Sequence, residues 1–186
     1  MARVVKTLGI SGSLRKASFN TAALRAAAEL VPEGMTLEIA DIGDIPVYNE
    51  DVREKGYPPE VQEFREQIGA ADALLFATPE YNYSISGVLK NAIDWASRPP
   101  NPPLIGKPVG IMGATGSLWG TTRAQYHLRQ CFVFLNMFPV NKPEVLIAQA
   151  PNKFDAAGKL TDQQTRDIIA QLMVALRDWT LRLNPG

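Results

Sequence analysis

The residues of this sequence best suited to chemistry are crowded into one turn, Gly9-Ile10-Ser11-Gly12-Ser13-Leu14-Arg15-Lys16-Ala17-Ser18-Phe19-Asn20. Ser11, Ser13, Ser18 and Asn20 offer neutral donors, and Arg15 adds a fork-shaped cation. A short apolar run (Val4, Val5, Leu8, Ile10) precedes the turn and an alanine-rich segment, Thr21 to Leu30, follows it. The polar residues therefore stand where a strand hands over to a helix. A helix N-terminus presents unpaired N–H groups and about half a positive charge, and small residues let the backbone approach phosphate oxygens closely. The chemistry implied is anion binding. Helix capping by Ser18 or Asn20 would need only one such side chain, and this turn carries five of them.

Two further polar loops follow apolar runs. Pro79-Glu80-Tyr81-Asn82-Tyr83-Ser84 ends the run Ala71 to Thr78, and Thr115-Gly116-Ser117-Leu118-Trp119-Gly120 follows Pro108 to Ala114. They bring flat rings (Tyr81, Tyr83, Trp119), a proline that fixes the backbone, and small residues whose N–H groups can reach the polar edge of a planar ligand. The first loop matches neither the Gly-x-Gly-x-x-Gly fingerprint nor the Gly-x-x-x-x-Gly-Lys-Ser/Thr phosphate loop, which disfavours a dinucleotide fold or a P-loop nucleotidase. A phosphate cradle beside an aromatic and amide slot suits a mononucleotide with a large ring system. Flavin mononucleotide (FMN) is the natural candidate.

The elements that must position these loops alternate along the chain. Strands are expected at Val4 to Ile10, Thr36 to Ile42, Ala71 to Thr78, Pro108 to Ala114 and Val145 to Ala148. Helices are expected at Thr21 to Leu30, from Pro59 with Val61, Phe64 and Ile68 inward, at Ser86 to Trp95, at Thr121 to Leu135 and at Asp162 to Leu183. On the last helix Ile168, Leu172, Leu176, Trp179 and Leu183 are expected to face inward. Val47 to Tyr57 reads as an irregular acidic loop, Ser97 to Pro103 as a stiff proline connector, and Pro151 to Leu160 as a surface excursion. Five alternations argue for one α/β domain over residues 1–186, a doubly wound five-stranded parallel sheet of flavodoxin-like order 2-1-3-4-5. In such sheets ligands lie beyond the C-terminal strand ends near the switch point, which would gather the loops after strands one, three and four at one edge.

Composition narrows the chemistry further. Nineteen basic and nineteen acidic residues cancel and form no basic stripe, so a general nucleic-acid binder is not expected. No stretch has the apolar length of a membrane span, and the N-terminus lacks the pattern of a secretory signal, so a cytoplasmic protein is expected. A single cysteine, Cys131, and a single histidine, His127, exclude an internal disulfide and leave no all-nitrogen or all-sulfur metal cage. No metal site and no dedicated side-chain acid or base are expected.

Three ordered motifs, Gly12-Ser13-Leu14-Arg15-Lys16-Ala17-Ser18-Phe19-Asn20, Pro79-Glu80-Tyr81-Asn82-Tyr83-Ser84 and Leu89-Lys90-Asn91-Ala92-Ile93-Asp94-Trp95, resemble the successive signatures of the NADPH-dependent FMN reductase family, and within it the bacterial quinone reductases also described as chromate reductases. The resemblance runs from Val4 to about Asn152. It implies that Ser11, Ser13, Arg15, Ser18 and Asn20 serve the FMN phosphate end. It also implies that Pro79, Glu80, Tyr81 and Asn82 face the isoalloxazine, and that Thr115, Gly116 and Ser117 close its pyrimidine edge. Glu80 could instead be a plain surface carboxylate.

Tyr83 and Arg98 are candidates for the substrate mouth. The implied activity is hydride transfer from NADPH or NADH to FMN and then two electrons to quinones, with chromate, azo and nitro compounds as further candidate acceptors. Two rivals stay open: a reductase releasing reduced FMN to a partner, and a flavodoxin-like electron carrier of low turnover. The resemblance implies a homodimer or homotetramer, with Arg123, Tyr126 and Glu144 as a candidate polar cluster at the contact. Trp119 could serve the mouth, the contact or neither.

Overall fold

The computed structural model describes residues 3–185. Its parallel sheet contains β1 (Val5–Ser11), β2 (Met35–Ala40), β3 (Ala73–Ala77) and β4 (Pro108–Ala114), in the order β2-β1-β3-β4. The fifth position is filled by two short pieces. Phe138–Pro139 (β5) pairs with Pro108 and Val109 at the start of β4, and Val145–Ile147 (β6) pairs with Met112 to Ala114 at its end. The 2-1-3-4-5 order holds, but the expected strand at Val145 to Ala148 covers only the second piece. Phe138 stands opposite Pro108 but Val145 opposite Met112, so three extra residues loop out of the ladder between the two pieces.

The central strands are buried throughout, as coverage on both faces requires. Successive residues of β3 point to opposite faces. Ala73, Leu75 and Ala77 meet one core, shared with α1 (Phe19–Glu29) and α6 (Gln163–Leu183). Leu74 and Phe76 meet a second core on the other face, shared with α3 (Pro59–Ala70), α4 (Gly87–Ala96) and α5 (Thr122–Phe134). A one-turn helix, α2 (Glu50–Arg53), capped by the Asn49 side chain, lies inside the segment expected to be irregular; four residues are too few to show a period. On α6 the buried stripe is Ile169, Leu172, Met173, Leu176 and Thr180. The expected stripe is one position off at its ends, because Ile168 and Trp179 only flank the core.

Caps place the helices that matter for function. The Ser18 side chain accepts the Thr21 N–H and starts α1, two residues earlier than the alanine pattern suggests. Ser86 caps α4 in the same way, and its hydroxyl donates to the Gly12 carbonyl at 2.6 Å, joining the second loop to the first. Gly113 lets α5 approach β4: a Cβ there would lie 1.9 Å from Thr121 Oγ1 and 2.4 Å from the Thr78 carbonyl.

Candidate functional site

The loops after β1, β3 and β4 meet around a cleft of about 260 Å³ at the C-terminal edge of the sheet. The first contributes Ser13, Arg15, Ser18, Phe19 and Asn20; the second Pro79, Glu80 and Tyr81; the third Ala114, Thr115 and Gly116. Pro151 closes the remaining side. It arrives on a short turn after β6, held against the third loop by Ala150 N–H donating to Thr115 O and Gln149 N–H to Ser117 O, both 2.9 Å. Pro151 and Ala114 escaped the sequence reading, and the one available signal was that the segment after the fifth strand must emerge at this same edge.

Two of the polar residues are already engaged. Asn20 is buried and grips the end of β4 with both amide atoms: Nδ2 donates to Ala114 O at 3.0 Å and Oδ1 accepts Ala114 N–H at 2.9 Å. Ser18 Oγ is the cap of α1. The backbone is what stays open. Among the described residues, the N–H groups of Leu14, Arg15, Lys16, Ala17, Phe19 and Asn20 donate to no other group, and the Arg15 side chain makes a single hydrogen bond, to Ala17 O at 3.3 Å. This is a nest of donors at a helix N-terminus beside an exposed guanidinium, an arrangement that holds a phosphate.

The other end of the cleft is made for a planar ring. Tyr81 and Ser84 exchange backbone hydrogen bonds of 2.9 Å around a hairpin whose central residues, Asn82 and Tyr83, both have positive φ (49° and 67°). Tight primed turns demand this, and Tyr83 adopts it at a cost in backbone strain. The N–H groups of Glu80, Asn82 and Gly116 donate to no group among the described residues. The Glu80 carboxylate is turned away from the cleft. Oε2 accepts the N–H groups of Arg123 and Ala124 at 3.0 and 3.1 Å, and Oε1 pairs with Arg123 at 2.8 Å. With 10% of its side chain exposed, Glu80 is no surface carboxylate; it caps α5, whose own N-cap residue, Thr121, makes no side-chain cap. Arg123 in turn lies 3.8 Å from the centroid of the Tyr83 ring. His127 Nδ1 lies 3.0 Å from Ser84 Oγ at the foot of the hairpin.

The model of the family described as NADPH-dependent FMN reductase matches residues 5–152. An NAD(P)H-dependent FMN reductase of Pseudomonas aeruginosa is 62% identical over 183 residues, spanning 98% of this chain and 99% of that protein. An NADPH:quinone oxidoreductase of Arabidopsis thaliana is 48% identical over 186 residues, spanning 97% and 94%. Among solved structures, FerB, a flavoenzyme NAD(P)H:(acceptor) oxidoreductase of Paracoccus denitrificans, superposes with a TM-score of 0.87 at 32% identity, covering 96% of this chain and 98% of that one. The chain belongs to the NADPH-dependent FMN reductase family.

Several residues named from the family motifs lie elsewhere than expected. Ser11 faces the opposite side of the first loop, where its Oγ lies 2.8 Å from Thr21 Oγ1. Asn82 and Ser117 adjoin the cleft through backbone and do not line it; Ser117 instead organises its own loop, with Trp119 N–H at 3.4 Å from its Oγ. Tyr83 is exposed at the hairpin tip, within the same loop as the cleft wall. Arg98 stands apart from the cleft. It follows the C-terminus of α4, and a helix of that length carries it roughly 15 Å from the edge where the cleft opens. Its Nε donates to Asp94 O at 3.1 Å and its guanidinium lies 5.7 Å from the Tyr48 ring centroid, so it does not reach the mouth of its own chain. The expected contact cluster is split: Tyr126 Oη donates to Glu144 at 3.4 Å, while Arg123 belongs to Glu80. Among the described residues, no helix is long and apolar enough to cross a membrane.

Proposed function

We propose that the protein is an FMN-dependent NAD(P)H:quinone oxidoreductase, with residues 1–186 acting as one FMN-binding unit. The observation that carries this reading is the joining, in one cleft, of a nest of unpaired N–H donors at the start of α1 to a wall made by Pro79, Tyr81 and Gly116. The relatives named above for NAD(P)H, FMN and quinones support it.

The residues fit FMN. The open N–H groups from Leu14 to Asn20, with Ser13 and Arg15, would hold its phosphate, and Ser18 and Asn20 would fix the backbone that does so. Pro79 and Tyr81 would flank the ring, and the N–H groups of Glu80, Asn82 and Gly116 would meet its polar edge. The chemistry supplied by bound FMN is two-electron transfer, with hydride entering from NADPH or NADH and electrons leaving to a quinone. Fixed N–H donors at the ring edge stabilise negative charge without reorganising, and losing one such donor typically costs about a hundredfold in rate. The His127 imidazole is hydrogen-bonded to Ser84 Oγ at the foot of the hairpin and takes no part in proton transfer. Solvent access is left by the exposed rims at Tyr81, Tyr83 and Trp119, against which flat acceptors can stack.

The exposed face of α5, with Tyr126, Val133 and Phe134, together with Trp119, is too apolar for a solitary surface helix and would pack on a second copy of this chain in a homodimer or homotetramer. A monomeric mass in solution would refute that part. For the activity, the purified protein is expected to show a flavin spectrum that NADPH bleaches and benzoquinone restores under anaerobic conditions. The same protocol with azo, nitro and chromate acceptors ranks the alternatives. Retention of FMN through gel filtration separates this reading from a reductase that releases reduced FMN, and rapid turnover separates it from an electron carrier. A colourless protein that gains no activity on adding FMN would sink it.

A further inference from the structure

A second cavity, about 420 Å³, lies on the other side of the first loop, between that loop and the end of β2. Three cations line it, Arg15, Lys16 and Arg25, all exposed, and among the described residues none of them is ion-paired. Lys16 and Arg25 make no side-chain hydrogen bond to any other described residue, and Arg15 makes only the one to Ala17. Side chains on a helix lean toward its N-terminus, so Arg25, one turn beyond Thr21, is carried back toward the loop. The single carboxylate in the wall, Asp41, has one oxygen occupied by the Gly43 N–H at 2.9 Å, which leaves the other to accept a hydroxyl. Leu14 and Ile39, 52% and 39% exposed, give the cavity apolar flanks.

This combination is unlike the FMN cleft. No aromatic ring lines it, and the open N–H groups of Phe19 and Asn20 belong to the residues of the cleft, which these two line and the second cavity does not share. What it does offer is a concentrated positive field for a doubly charged phosphate, one acceptor for a sugar hydroxyl, and two aliphatic faces for a heterocycle. Ser13 and Arg15 line both cavities, so a molecule seated here is separated from the flavin cleft by the thickness of one loop.

We infer that this pocket takes the 2′-phosphorylated adenosine end of NADPH, with Lys16 and Arg25 gripping the 2′-phosphate, and that it is where the protein tells NADPH from NADH. The inference rests on the proposed reductase function. It is tested by binding as well as by turnover. Calorimetric titration of the FMN-loaded protein with 2′,5′-ADP and with AMP is expected to show tighter binding of 2′,5′-ADP, and the Lys16→Ala/Arg25→Ala variant is expected to lose about tenfold or more of that affinity while AMP binding stays as it was. In the Arg25→Ala variant, which leaves the first loop intact, KM for NADPH rises about tenfold while KM for NADH, kcat and FMN content stay put.

Equal binding of 2′,5′-ADP and AMP by the parent, or an equal change for NADPH and NADH in the variant, overturns the inference. So does binding of inorganic phosphate as tight as that of 2′,5′-ADP, which would make the pocket a plain anion site. Loss of FMN from a variant with native circular dichroism would hand these cations to the FMN phosphate and overturn it as well. A parent that binds 2′,5′-ADP selectively yet oxidises neither nucleotide would end the reductase reading and leave the pocket standing, so the two failures are distinct.

Discussion

Arg15 and Arg65 are the same side chain used in opposite ways, and the contrast separates what builds this molecule from what it offers to a ligand. Arg65, on α3, is 8% exposed and lies beside the C-terminus of α4, the end remote from the cleft. Its guanidinium donates to five carbonyls, those of Trp95, Ala96, Arg98, Pro100 and Asn101, at 2.8 to 3.4 Å, and lies 4.2 Å from the Tyr57 ring centroid. Burial holds its pKa below the ordinary arginine value, and the carbonyls at the C-terminal end of α4 supply the compensating negative field. Arg15 stands at the other edge of the sheet, exposed, with one hydrogen bond of 3.3 Å. A cation whose two terminal nitrogens are both taken by carbonyls of its own chain has a structural task; a cation with donors left over beside open N–H groups has a ligand.

The largest effect should come from the structural member of the pair. Arg65→Ala is expected to cost about 3–5 kcal/mol in chemical denaturation, since five carbonyls, two of them in buried hydrogen bonds, lose this donor at once and the packing on Tyr57 goes with it. Its FMN affinity, measured on the protein that remains folded, should match the parent. A loss of flavin without a loss of stability would invert the contrast.

Two glycines three residues apart sharpen it. Gly113→Ala drives a methyl group to within 1.9 Å of Thr121 Oγ1 and should cost about 2–4 kcal/mol, because the wall it meets, Thr121 and the Thr78 carbonyl, is fully buried. Gly116→Ala meets nothing nearer than Pro151 at 3.9 Å, so thermal unfolding of the apoprotein should be unmoved while the added methyl in the cleft weakens FMN binding. If both variants lose stability alike, the third loop is a piece of the core and not a ligand wall.

Arg15→Ala is the complementary test. The apoprotein is expected to unfold at the parent's temperature and FMN to bind about tenfold to a hundredfold more weakly in a fluorescence titration, the worth of one charge-assisted contact to phosphate. Unfolding of the variant with unchanged flavin affinity would make Arg15 structural and the first turn misread.

How far the sequence reveals these assignments depends on whether the partner is local. The three loops were legible because each follows an apolar run of strand length, and the alternation of strand and helix carries the sheet order with it. Ser18 was legible as a cap for the same reason, since Thr21 is three residues away. Asn20 was not: its partner, Ala114, is 94 residues on, and nothing near Asn20 announces that its amide clamps a strand end. A run of prolines says that Arg98 is held but not at which end of the sheet. The split fifth strand is not legible because two residues of β5 are below any period.

Glu80 is the residue on which the contrast between building and binding is finest, since its backbone lines the cleft while its carboxylate faces α5. Glu80→Gln keeps an oxygen that can accept the Arg123 and Ala124 N–H groups but removes the ion pair with the Arg123 guanidinium. Arg123 is about one-third exposed, so solvent screens the pair, and a stability loss of only about 1 kcal/mol is expected in denaturant. FMN affinity should stay within about twofold, because the open group beside the ring is the Glu80 N–H, which the substitution leaves alone. A flavin affinity that falls further than this while the unfolding midpoint holds would mean that the carboxylate leaves α5 for the ligand when the ligand arrives. In that case Glu80 belongs with Arg15 and not with Arg65.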